Sequence, residues 1–187
     1  MADSNITKNA LAMSLKELMA EKPFEKISIS DICESCGMNR KSFYYHFKDK
    51  YDLVNWIFYV NCMSKLNLDE YDTGWDMISA MCDMFYEDKE FYLEALKIEG
   101  QNSFHDYVLE TLRPLTQFFI KDILKGESQR EFFFTFVTDA FLMSIMRWLS
   151  EGMIMPKEEF MDNLHEVALK LAYKVINDEE KITDRNS

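Results

Sequence analysis

An all-α chain of about nine helices is predicted, a small helix-turn-helix head followed by a larger helical body, and three observations predict it. Only three prolines and five glycines interrupt 187 residues, which favours long helices over strands. Apolar residues recur three and four apart rather than in alternation. Serine and asparagine fall where helices need side-chain acceptors for their first amides.

Leu11, Leu15, Leu18 and Met19 mark a first helix that ends near Pro23. Ser28 then precedes Ile29-Ser30-Asp31-Ile32 as an N-cap with an acidic residue at the third helical position, and Ile27 and Ile32 can close a hydrophobic staple across it. A second helix should begin at Ile29. Gly37 supplies the residue that can take positive φ where that helix stops, and Asn39 caps a third helix, with Met38 and Phe43 as another staple. Asp49 caps a fourth helix running through Leu53, Trp56 and Ile57 to about Leu66, so the helix after Asn39 is limited to about two turns.

Spacing assigns the faces of that short third helix. Phe43 and Phe47 are four apart and share a face directed at Ile32 and Cys33, whereas Arg40 with Tyr44, and Lys41 with Tyr45, point elsewhere. On their own, Arg40, Lys41, Lys48 and Lys50 would be read as a solvated face. The capped turn, the two staples and the interleaved aromatics set them apart, because a short helix with a cationic N-terminal end suits a phosphate-lined groove.

The run from Ser28-Ile29-Ser30-Asp31-Ile32-Cys33 through Cys36-Gly37-Met38-Asn39-Arg40-Lys41-Ser42-Phe43-Tyr44-Tyr45-His46-Phe47-Lys48-Asp49-Lys50 to Leu53 resembles the DNA-binding segment of TetR-type transcriptional regulators. The resemblance implies an all-helical homodimer with a three-helix DNA-binding head, residues 1–50, and a helical regulatory and dimerisation body, residues 51–187. It implies that Arg40, Lys41 and Ser30 face bases, and that Ser28, Ser42, Tyr44, Tyr45, His46 and Lys50 face phosphates. Cys33 and Cys36 stand where the family usually has alanine, and small side chains fit both places. Within the family, Phe43-Tyr44-Tyr45-His46-Phe47 followed by Trp56-Ile57 resembles regulators linked to dihydroxyacetone kinase operons.

The net charge of −12 at first argues against a polyanionic partner. Its distribution reverses the objection: Met1 to Val60 holds eight Lys or Arg against eight Asp or Glu, so all the excess acid lies beyond. A neutral head with a basic edge can approach DNA while the acidic body is repelled, and binding should weaken steeply with salt.

In the body, Thr73 and Gly74 open a fifth helix through Trp75, Ile78, Met81, Cys82 and Phe85, and Phe91, Leu93, Leu96 and Ile98 mark a sixth that stops near Gly100. Ser103 starts a seventh through Tyr107, Leu112 and Ile123, kinked at Pro114 and ended by Gly126. Phe132 to Leu149 reads as an eighth helix, apolar on more than one side and so in need of two partners. It is broken by Asp139 and Arg147 and is unsuited to a bilayer. A ninth, from Glu158 to Ile176, lines up Phe160, Leu164, Val167, Leu171 and Val175 ahead of a charged, frayed tail. The last two helices of each protomer can form a four-helix interface, and a two-fold dimer would read an inverted repeat.

Two kinds of signal remain open from the residues. Trp56, Tyr59, Trp75, Phe85, Tyr92 and Phe104 could enclose a small apolar effector, although such stripes are commonly core. The resemblance to kinase-operon regulators implies instead a protein coregulator, a kinase-like subunit, and activation of transcription. An enzyme is disfavoured: His46, His105 and His165 lack metal-ligand spacing, and no nucleophile elbow or phosphate-binding glycine loop is present. Cys33-x-x-Cys36 is half a zinc or redox site at most, with Cys62 and Cys82 single. No cofactor, metal or catalytic residue is expected. With Met1 to Asn9 polar, neither is a signal peptide, and a cytoplasmic protein without a membrane partner follows.

Overall fold

The computed structural model describes residues 2–66, 70–100, 103–120 and 130–185, and among these every extended element is helical. The helices are α1 Ala2–Glu21, α2 Ile29–Ser35, α3 Arg40–His46, α4 Lys50–Lys65, α5 Gly74–Glu87, α6 Lys89–Ala95, α7 Phe104–Ile120, α8 Arg130–Ser150 and α9 Lys157–Arg185, with a 3-10 turn at Phe24–Lys26. Local chemistry sets most of the starts. Ser28 and Asp31 form a reciprocal capping box on α2, Thr73 and Asp76 another on α5, and the side chains of Asn39 and Asp49 accept from the amides of Ser42 and Asp52. Gly37, at φ 68°, makes the turn between α2 and α3 in the left-handed region, where a Cβ is disfavoured.

The chain divides into two compact units, Met1–Gly152 and Met153–Ser187. A functional boundary at residue 50 has no counterpart in this division. The reason is α4: its first turns carry Tyr51 and Trp56 against Phe24 and Phe47, with ring centres 5.1 and 5.6 Å apart, while its later turns carry Phe58 and Cys62 into the body. Head and body therefore share one helix.

Beneath α3, Phe43 and Phe47 are buried with Ile32, Cys33, Leu11, Leu15 and Leu53, as their spacing requires. In the body the fully buried rings of Phe58, Phe85, Tyr92 and Phe104 meet in edge and stacked contacts at 5.0–6.4 Å, joining α4, α5, α6 and α7. Rings expected as a possible effector pocket thus serve as one another's packing partners. A polar chain runs beside them. Asp88, between α5 and α6, accepts from Lys16 of α1 and from the Asn61 amide of α4 at 3.1 Å, and that amide also reaches the Tyr92 hydroxyl at 3.1 Å.

α7 continues as a helix through Pro114, and α8 packs on it with Arg113 and Asp139 at 2.8 Å. Gly126 and Ile123 lie outside the described residues, as do the side chains of Phe118, Ala172 and Val175. α9 runs on to Arg185 instead of fraying after Asn177, and no glycine or proline interrupts that segment. No helix of the described residues is long and apolar enough to cross a membrane.

Candidate nucleic-acid interface

α3 is two turns long because Asn39 caps its start and Asp49, two residues after its C-cap Phe47, caps the next helix. With Phe43 and Phe47 turned inward, the side chains on its other faces point towards solvent. Arg40, Lys41, Tyr44 and Tyr45 are all exposed, Tyr45 to 82 %. The Arg40 guanidinium lies along the Tyr44 ring, 5.9 Å from its centre, and donates to the Tyr44 hydroxyl at 3.4 Å, which raises its pKa above the ordinary arginine value. Tyr44 thus braces Arg40. Tyr45 and His46 meet edge to face at 4.8 Å, leaving the phenol outermost and the imidazole half-buried beneath it.

Hydroxyls border this cationic edge. Ser28 is exposed, its Oγ accepting from the Asp31 amide at 3.1 Å. The Ser42 hydroxyl is half-buried and donates to the Asn39 side chain at 3.3 Å, and Ser30 is half-buried on the first turn of α2. Asp31 is drawn into the head: the Lys22 ammonium at 2.8 Å and then the Ser28 amide at 3.0 Å hold its carboxyl down at about 2, against the small opposing effect of desolvation.

Two lysines depart from expectation. Lys48, left out of the expected contacts, is exposed in the turn before α4, where its amide donates to Asp52 at 2.9 Å. Lys50 does not stand free beside the others: its ammonium donates to the carbonyls of Phe24 and Ile27 at 2.6 and 2.8 Å. Burial pulls it below the ordinary lysine pKa, opposed by Glu25 and Asp31. Three carbonyls surround the Lys50 charge, which the sequence expectation of a phosphate contact did not include.

The cysteines are set for packing. Cys33 is buried and burial pushes its thiol up, while Cys36 donates through Sγ to the Ile32 carbonyl at 3.2 Å. His105 lies in α7 with its Nδ1 3.2 Å from the Asp106 carboxylate.

Comparison with known proteins decides the family. A family model described as "Transcriptional regulator C-terminal region" matches residues 73–170, and one described as "Bacterial regulatory proteins, tetR family" matches residues 15–57. The chain belongs to the TetR family. As a TetR-type protein it is a DNA-binding transcriptional regulator, and its α2–α3 unit is the family's helix-turn-helix.

Among curated proteins this TetR regulator is similar to the HTH-type dhaKLM operon transcriptional activator DhaS of Lactococcus lactis subsp. lactis (strain IL1403), 24 % identical over 110 residues. That match spans 59 % of this chain and 59 % of the relative, so only about three fifths of the relative's length is involved. Among solved structures, one described as dihydroxyacetone kinase operon activator DhaS superposes with a TM-score of 0.65 at 21 % identity, over 89 % of this chain and 96 % of that one. NalD, the secondary repressor of the MexAB-OprM multidrug efflux pump in Pseudomonas aeruginosa, gives 0.61 at 18 % identity, over 90 % and 96 %. Both structures share the fold.

Proposed function

We propose that this TetR-type regulator acts as a homodimer on an inverted-repeat operator, and that an effector bound to the body sets its affinity. The observation that carries the reading is a row of exposed apolar side chains on α8. Phe132 and Phe136 are 76 % and 64 % exposed and stack on each other, and Ala140 and Met143 continue the row three and four residues on. The opposite side of α8, with Leu142, Ile145, Met146 and Leu149, is buried within the first unit. An apolar row of this length on a water-soluble helix is what a second copy of the same helix would cover. One head offers too few contacts for specific binding, whereas two related by a dyad read two half-sites.

At each half-site Arg40 and Lys41, with Ser30 behind them, would meet base edges, while Ser28, Ser42, Tyr44, Tyr45 and His46 would hold phosphates. Lys48 is added to the phosphate group and Lys50 is removed from it. Control follows from differential affinity: an effector that binds better when the heads are spaced wrongly for successive grooves releases DNA.

A second reading, an activator governed by a kinase-like protein partner, is supported by the similarity to the activator DhaS and by the ring-on-ring filling of the body. Native mass spectrometry separates the two. A dimer carrying a small molecule supports the first, an empty dimer that captures a kinase subunit supports the second, and a monomer at every concentration refutes both.

A further inference from the structure

The three N–H groups of Lys50 meet three acceptors, the carbonyl oxygens of Phe24 at 2.6 Å, Ile27 at 2.8 Å and Glu25 at 3.3 Å. The ammonium also lies 4.2 Å from the centre of the buried Phe24 ring. All three carbonyls belong to the 3-10 turn and its exit, the segment leading from α1 to the N-cap of α2. Within that segment the amides of Lys26 and Ile27 bond back to Pro23 and Phe24, and Lys50 supplies donors to the carbonyls beyond.

The other side of α2 is held from α1. The buried Ser14 hydroxyl donates to the Ile32 carbonyl at 2.8 Å, and Lys22 pairs with Asp31 at 2.8 Å. α2 is thus fixed from α1 by Ser14 and Lys22, and from α4 by Lys50. Because α2 and α3 are joined through the tight turn at Gly37 and share the buried Phe43, whatever sets the start of α2 sets the angle of α3.

We propose that Lys50 is a positioning residue for DNA binding and not a phosphate ligand: its ammonium clamps the turn ahead of α2 and so fixes how α3 is presented to the groove. A phosphate could claim that charge only by displacing three charge-assisted bonds, and would gain one solvent-screened ion pair in return. The proposal rests on the reading of α3 as the DNA-contacting helix.

The test uses the full chain and the variants Lys50→Met, Lys50→Arg and Lys41→Ala. Affinity is measured against salt on a long random-sequence duplex and on the duplex that the wild type selects from a random library, at a temperature where each variant is folded by circular dichroism. Lys41→Ala should flatten the salt slope by about 0.9 for each protomer. Both Lys50 variants should keep the wild-type slope yet lose about tenfold in preference for the selected duplex, the size of one misaligned base contact. Their Ile27 amide should also exchange faster with solvent.

A slope reduced in Lys50→Met and restored in Lys50→Arg would overturn the proposal in favour of direct phosphate contact. An unchanged slope with unchanged preference would reduce Lys50 to a stabilising contact and overturn it equally. Should Lys50→Met not fold, Lys50→Arg carries the same readouts, because a planar guanidinium does not fit a three-carbonyl cage built for an ammonium. If the wild type selects no duplex at all, it is the DNA reading that fails. Ile27 exchange then decides the clamp alone, and an unchanged rate in the variants counts against it.

Discussion

Phe47 and Arg40 lie seven residues apart on one short helix and do opposite work. Phe47 is buried against Phe43 and Trp56, so Phe47→Ala should cost about 3–5 kcal/mol of stability and unfold the head before it changes any contact to DNA, as thermal melting would report. Arg40 is exposed and braced, so Arg40→Ala should leave melting unchanged. Its cost should be about 1–3 kcal/mol of specific affinity, with relaxed preference at one base position, read by selection from a random library. Equal losses on selected and random DNA would contradict the base-contact role. The faces were legible because both rest on a four-residue period within one helix. The brace between Arg40 and Tyr44 follows the same period and was within reach; Lys50 was not, because its partners are carbonyls 23 to 26 residues away and a carbonyl carries no residue identity.

At the scale of elements, the starts of α2, α3, α4 and α5 were readable, since a cap and the amide it satisfies are two or three residues apart. The end of α9 was misjudged because charge was taken for fraying where helix propensity prevailed. The chain from Lys16 through Asp88 and Asn61 to Tyr92 was invisible for the same reason as Lys50, its members being brought together by tertiary packing alone. The box at the start of α2 makes a pH prediction. Asp31 has a folded pKa of about 2 against an ordinary value of 3.8, so it binds its proton less readily folded than unfolded. Its stabilisation is complete above about pH 4 and is lost as pH falls towards 2, below which both states are protonated. In acid titrations Asp31→Asn should therefore be less stable than the wild type at neutral pH and converge with it near pH 2. A constant gap down to that pH would show that the carboxylate charge is not what holds the cap.

For the whole molecule, the all-helical class was legible from the scarcity of glycine and proline, and the head from its motif, but the compact division was not. Sequence suggested a break at residue 50, while α4 packs its first turns on the head and its later turns on the body. If two chains pair through the exposed row on α8, as proposed, Phe136→Glu should place a charge in each copy of the interface and yield a folded monomer by sedimentation. That monomer should retain random-sequence binding and lose most of its preference for an inverted repeat, because nonspecific affinity comes from phosphates that one head can still reach. The most direct measurement is footprinting of the purified chain on DNA upstream of its own coding sequence, with the mass of the complex determined in parallel. A protected inverted repeat with half-sites about one helical turn apart, holding an even number of protomers and weakening steeply with salt, is the expected result. A single protomer bound without regard to sequence at low ionic strength would contradict it.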